Sequence, residues 1–266
     1  MNISLGQYFP GNSILHRADP RTKIILSAAF MFLAFASFGI YEFSILAAVA
    51  LLAIAASKIP PGVILRSVKP VIPLILFASL INLFMVPGEP FFRIWVIAPT
   101  REGAALALKL AARVSLILLG GSSMLIFTTT PIMLTDGVES LLNPLKRFRL
   151  PVHEFAMMMT IALRFIPTLL EEADKIMRAQ ASRGADFNEG RLLDRARSFI
   201  PIIIPLFVSA LRRADELANA MEARCYRGGE GRTKLRQLRM TALDVWLLAV
   251  FAMSAAAFFA VRLSGV

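Results

Sequence analysis

The chain is poor in the residues that build covalent and metal-held sites. A single cysteine, Cys225, excludes an internal disulfide, and with only His16 and His153 besides, no Cys/His cluster can bind zinc. Acidic residues are scarce beside basic ones, 18 against 29. No Ser/His/Asp set or paired carboxylate stands in a recognisable catalytic arrangement. Glu171 and Glu172 are adjacent, so they point to different faces of a helix and read as partners for nearby Lys175 and Arg178. The segment "GGEGRTK" (Gly228–Lys234) lacks the G-x-x-x-x-G-K-[ST] spacing and follows a helical pattern rather than a strand, so it is no phosphate loop. The first 23 residues are mixed and polar, without a short apolar core or small-residue cleavage site, and no removable signal peptide is expected there.

Apolar sequence is abundant instead. Of 266 residues 57% are hydrophobic, and the mean hydropathy is +0.66. The apolar residues collect in runs with basic residues between them, the pattern of a polytopic membrane protein. Five runs are expected to span: Ile24–Ile40, Phe43–Ser57, Pro70–Val86, about Gly103–Phe127, and Val245–Val261. Runs one and two would be joined by a tight Tyr41-Glu42 turn. A span needs roughly 20 residues, with about 17 as the lower limit, so these are short. The net charge of +11 is read as loops retained in the cytoplasm, not as a nucleic-acid footprint. Lys and Arg counts per loop predict a multi-pass plasma-membrane protein with a cytoplasmic N-terminus and an extracytoplasmic C-terminus.

Lys109 and Arg113 share a face of run four and are expected to snorkel to the interface, with substrate contact as the other reading. No acidic residue or histidine accompanies them inside the runs. An ion-coupled carrier would need such groups, and buried ionisable pairs are not expected.

The sequence divides into an N-terminal membrane region (1–127), a cytoplasmic helical region (128–240) and a C-terminal span (241–266). The middle region holds apolar patches, Phe155–Phe165 and Phe199–Leu211, too short to cross a bilayer alone. Each continues into charged helical sequence, with Pro167 and Pro201 expected to bend the two helices.

Those helices end alike. "ADKIMRAQASRG" (Ala173–Gly184) and "ADELANAMEARC" (Ala214–Cys225) align without a gap. Arg183 and Arg224 would lie in the final turns, favourable for the helix dipole, with small Ala181, Ser182 and Ala223 leaving the guanidinium clear. Basic residues at helix ends are ordinary when taken singly. Their repetition suggests a plug presented twice to a two-fold partner.

The stretches "LPVHEFAMMMTIALRFIPTLLEEADKIMRAQASRGADF" (Leu150–Phe187), "AMEARCYRGGEGRTKL" (Ala220–Leu235) and "LHRADPRTK" (Leu15–Lys23) resemble the transmembrane T component of energy-coupling-factor (ECF) transporters. The resemblance covers nearly the whole chain. It implies an all-α membrane protein of about five transmembrane helices with two long coupling helices. It also implies docking of two ABC-type ATPase subunits at Ala181-Ser182-Arg183-Gly184 and Ala223-Arg224-Cys225, where Ser182 and Cys225 depart from the usual Ala and Gly. A left-handed backbone at Cys225 would be strained, so the second turn is expected at Gly228-Gly229. The resemblance further implies a small membrane substrate-binding (S) subunit as partner. Met157, Met158, Met159, Met177 and Met221 offer it an adaptable surface, or else pack a core. This chain would bind no cofactor and catalyse nothing; ATP and Mg would sit in the partner ATPases. Uptake of a vitamin or a transition-metal ion is the implied activity, with the permease of a conventional ABC importer as the alternative.

Overall fold

The computed structural model describes residues 8–88, 100–148, 151–185, 198–228 and 238–264, and among these there is no strand. The helices are α1 (Ile14–Arg17), α2 (Pro20–Ala36), α3 (Ile40–Ser57), α4 (Pro61–Val68), α5 (Ile72–Met85), α6 (Arg101–Gly121), α7 (Pro131–Leu142), α8 (Val152–Ser182), α9 (Ile200–Ala223) and α10 (Ala242–Leu263). Two compact units result: Met1–Leu141 with Gln237–Val266, and Leu142–Arg236. Helix α7 therefore belongs almost wholly to the first unit.

Among the described residues, four helical stretches are long and apolar enough to cross a membrane, all in the first unit: Ile40–Ser57, Pro61–Met85, Arg101–Ile126 and Ala242–Leu263. The fifth expected span is α2, whose 17 residues reach only about 25 Å. It lies four residues nearer the N-terminus than its apolar run. Asp19 caps it, its Oδ1 accepting from the Arg21 amide at 2.9 Å, and Pro20 occupies the first turn, where its missing N–H costs nothing. The turn after α2 is Ser37–Gly39 and not Tyr41-Glu42. Glu42 lies inside α3, and its carboxylate reaches back to accept from the amides of Phe38 and Gly39 at the start of that helix. The third span likewise starts earlier than its apolar run, at Pro61, and passes through a 3-10 turn (Lys69–Val71), so Arg66 and Lys69 are helical.

The core of this unit is built on α2. Phe30, Leu33 and Ala34 meet Leu46 and Ala50 of α3, Met124 beyond α6, and Phe258 of α10. Phe30 is fully buried because Gly120 leaves it room; a Cβ there would stand 2.3 Å from the ring. Gly103 performs the same service for the α5–α6 hairpin, where a Cβ would lie 2.6 Å from the Asn82 carbonyl oxygen. Thr100 closes that hairpin: its amide donates to the Leu83 carbonyl, its hydroxyl donates to the Val86 carbonyl at 2.8 Å, and the same oxygen caps α6 at Gly103.

The C-terminus of α2 carries no basic residue of its own. Two arginines from other helices supply the missing donors. Arg113 of α6 donates to the Ser37 carbonyl and lies 5.5 Å from the Phe38 ring centroid and 5.9 Å from that of Phe43. Arg262 of α10 donates to the Ala36 carbonyl at 3.0 Å and also faces Phe38. Arg113 is thus a helix cap stacked on aromatics, not the snorkelling residue its sequence position suggested.

At the other end of α2 lies a buried ionisable cluster, which corrects the expectation that none exists. Asp244 is fully buried and Lys23 nearly so. Asp244 Oδ1 accepts from the Asp19 amide at 2.7 Å, and Oδ2 accepts from the Thr241 amide and hydroxyl, each at 2.8 Å. Lys23 Nζ donates to the Thr128 carbonyl at 2.9 Å and the Thr129 hydroxyl at 3.3 Å, and it feels the charges of both Asp19 and Asp244. Asp19 and Asp244 cap helix N-termini at the margins of the apolar runs, and Lys23 ties α2 to the segment that follows α6. Main-chain and hydroxyl partners hold them, so they clasp helices and form no relay along a span.

In the second unit α8 and α9 pack together. Helix α8 has 31 residues, a length of about 46 Å, yet only Val152 and Ala156 are buried in it. Helix α9 has 24 residues and buries Ile202 alone. Pro167 stands inside α8 as expected, but Pro201 lies in the first turn of α9, where proline fits without bending the helix. The interior proline of α9 is Pro205.

Candidate functional site: two matching helix ends

The sequence repeat becomes a repeat of backbone geometry. At the end of α8 the Gly184 amide donates to the Ala181 carbonyl and the Ala185 amide to the Gln180 carbonyl, both at 3.0 Å. At the end of α9 the Cys225 amide donates to the Glu222 carbonyl at 2.8 Å and the Tyr226 amide to the Met221 carbonyl at 3.0 Å. Each pair is a Schellman motif. Arg183 and Arg224 take the same cap position, with φ/ψ of −91°/6° and −92°/14°.

The residue after each arginine is left-handed: Gly184 at φ +87° and Cys225 at φ +54°. The second turn is therefore at Cys225 and not at Gly228-Gly229. Glycine reaches that region freely, whereas a side chain costs about 1 kcal/mol or more. The two Schellman bonds hold Cys225 there regardless. Gly228 is also left-handed, at φ +84°, three residues beyond; Gly229 lies outside the described residues.

Arg183, Arg224, Ala181, Ser182, Gly184, Ala223 and Cys225 are all exposed. The Ser182 hydroxyl donates back to the Arg178 carbonyl at 3.1 Å, so it is folded against its own helix and does not crowd Arg183. Both guanidinium groups stand at the negative end of a helix, each beside small residues. The arrangement suits insertion into a groove that offers a carboxylate, for which the planar fork of arginine is better shaped than lysine.

A polar clasp joins the two helices behind the caps. Arg213 Nη2 of α9 lies 2.7 Å from Glu172 Oε2 of α8, and the Ser209 hydroxyl donates to Glu172 Oε1. The Ser209 hydrogen bond foremost, with the charge and hydrogen bond of Arg213 and the charge of Lys175, holds the Glu172 carboxyl below its usual range. Glu172 thus serves the other helix more than its own neighbours, a pairing invisible in local spacing.

The methionines divide. Met158 and Met159 are exposed, while Met157, Met177 and Met221 are half-buried. On α8 the first two stand near exposed Phe155; α9 exposes Ile203, Ile204, Phe207 and Val208. The second unit therefore exposes large apolar side chains on the N-terminal halves of both α8 and α9.

Among the described residues no group of three or more His, Cys, Asp and Glu could hold a metal ion.

The cobalt transport protein family model matches residues 11–235. The energy-coupling factor transporter transmembrane protein EcfT of Ruminiclostridium cellulolyticum is 53% identical over 92% of this chain and 91% of its own length. The protein of the same name from Acidaminococcus fermentans is 54% identical over 89% and 88% of the two chains. That of Bacillus subtilis is 43% identical over 98% of each. With all-helical architecture, several membrane-crossing helices and this level of identity over nearly its whole length, the chain belongs to the family of transmembrane proteins of energy-coupling factor transporters.

Proposed function

We propose that this chain is the non-catalytic coupling subunit of an ATP-driven importer, seated on two ABC-type ATPases through Arg183 and Arg224. One observation carries the reading: two helix ends of the same geometry, each offering an exposed arginine at its cap. A single plug would suit any helix-end contact. A matched pair on one chain suits two copies, or two close relatives, of one groove.

ATP and Mg belong to the ATPases in this reading, and the chain itself needs no cofactor. Closing of the ATPases on ATP moves the two caps, and α8 and α9 carry the displacement as stiff levers. The apolar surface around Phe155, Met158, Met159 and Phe207 receives a small membrane-embedded S subunit that binds the cargo. The cargo is a vitamin or a transition-metal ion; the family's description favours the metal, the relatives' names leave both open. The caps and the region from 128 to 240 face the cytoplasm, as does the N-terminus, with the C-terminus on the opposite side of the plasma membrane.

Arg183→Glu and Arg224→Glu test the docking step. Each variant should insert normally, lose co-purification with the ATPases and abolish uptake. Losing one such interfacial charge contact costs about 2–5 kcal/mol, a weakening of about 30-fold or more. Arg→Lys should fall between, since the charge remains and the fork does not. Normal ATPase recovery by both Glu variants would sink the proposal.

A further inference from the structure

An open groove of about 570 Å³ runs between α3 and α6, lined among others by Phe43, Ala47, Leu108, Lys109, Ala112 and Leu119. Its walls are apolar apart from Lys109 and two serines, Ser44 and Ser115. Arg113, bound to the turn after α2, fixes the level at which α3 begins on α6. Lys109 precedes it by one helical turn and is exposed. No hydrogen bond or ion pair engages Lys109 among the described residues. The carboxylate nearest in sequence to the start of α3, Glu42, is turned onto the amides of Phe38 and Gly39. The other two cations of this region, Arg113 and Arg262, are occupied by carbonyls and add positive charge without neutralising it.

A lone ammonium on a membrane-crossing helix is costly unless it reaches an anion or water. Side chains on a helix lean toward its N-terminus, so Lys109 reaches toward the Arg101 end of α6 and away from Leu119. From Lys109 to Leu119 the groove extends ten residues along the helix, about 15 Å, or half the hydrocarbon thickness of a bilayer. That is the depth of one leaflet. We propose that the groove holds an acyl chain of an anionic phospholipid, with the lipid phosphate paired to Lys109. The apolar walls take the chain, the small Ala47 and Ala112 leave the width for it, and the lysine selects the headgroup. The proposal is independent of the docking arginines, which belong to the other unit.

Native mass spectrometry of the full chain tests this, after extraction into detergent containing equal amounts of phosphatidylglycerol and phosphatidylcholine. The wild-type chain should retain phosphatidylglycerol in preference, and excess inorganic phosphate should not displace it. Lys109→Gln should lower the preference by about fivefold, the scale of one lysine's attraction to an anionic lipid. Ala47→Phe, which fills the groove and keeps the charge, should lower retention of both lipids, with circular dichroism confirming the helical fold of each variant. Equal retention of the two lipids by the wild type would overturn the proposal. So would an unchanged preference in Lys109→Gln, or crosslinking from position 109 into a partner subunit's helix in place of lipid.

Discussion

Glu172 of α8 and Arg213 of α9, paired at 2.7 Å, are the same position of the repeat: each stands eleven residues before its cap arginine. The two helices therefore meet at a shared level, about 16 Å of helix behind each tip. Such a joint makes the two tips equivalent with respect to the point where the levers are fastened. In the proposed coupling role, motion entering at one cap would reach the joint over the same length of helix as motion entering at the other.

The joint can be tested by exchange. Glu172→Arg or Arg213→Glu alone places like charges together and should lower transport while leaving ATPase recovery largely intact, because the caps are untouched. The double exchange should restore most of the loss if pairing is what matters. A pH scan gives a second check. The Glu172 carboxyl is held below its ordinary value, so the clasp contributes fully above the unfolded carboxylate range and is lost as pH falls through the depressed folded value. Thermal stability of the wild type should fall more steeply on acidification than that of Glu172→Gln, in which nothing titrates at this site.

The two caps differ in one residue that geometry makes decisive. Cys225→Gly should stabilise the end of α9 by about 1 kcal/mol, since it removes a side chain from a left-handed backbone. Gly184→Ala should cost a similar amount at the end of α8; nothing lies within 4 Å of the added Cβ, so the whole effect is conformational. Titration with purified ATPases should show the first variant binding more tightly and the second less. Cys225 is also the only thiol of the chain and is exposed, so maleimide labelling reports one site. Bound ATPases should protect it.

The clasp at the other unit's helix ends predicts a larger penalty. Asp244→Ala removes the acceptor for the Asp19 amide and for both Thr241 donors, and takes one of two carboxylates away from Lys23. Leaving such donors buried without partners should cost about 2–4 kcal/mol. The measurable result is a drop in thermal stability and in membrane yield, with Asp244→Asn retaining part of both through its carbonyl oxygen.

Much of this architecture is legible in sequence because the bilayer imposes a coarse rule: long apolar runs become helices. The repeat was equally legible, since Ala173 and Ala214 set a gapless register that carries Arg183 onto Arg224. Boundaries were harder. The capping signal Asp19-Pro20 lies outside the apolar run, so hydropathy alone began α2 too late; Glu42 reads as a turn residue until its carboxylate is seen to cap α3. The left-handed Cys225 defied a correct general preference, because two hydrogen bonds outweigh the penalty of a Cβ. Contacts between Asp19 and Asp244, 225 residues apart, leave no local trace at all.

Two glycines of α6 provide a graded packing test. A methyl group at Gly103 would stand 2.6 Å and 2.9 Å from the main-chain oxygens of Asn82 and Leu83, and backbone cannot step aside without separating α5 from α6. At Gly120 the obstacle is the Phe30 ring, 2.3 Å away but part of a side chain, which a second substitution can shorten. Overpacking of this kind costs about 1–3 kcal/mol. Gly103→Ala should fall at or above the upper end, and it should not be rescued by a second change in any side chain. Gly120→Ala should recover when Phe30→Leu makes room. Thermal unfolding of the single variants and the Gly120→Ala/Phe30→Leu pair decides the matter: rescue of the second glycine alone follows from these contacts, whereas equal behaviour of the two would show that helix spacing here is softer than the packing requires.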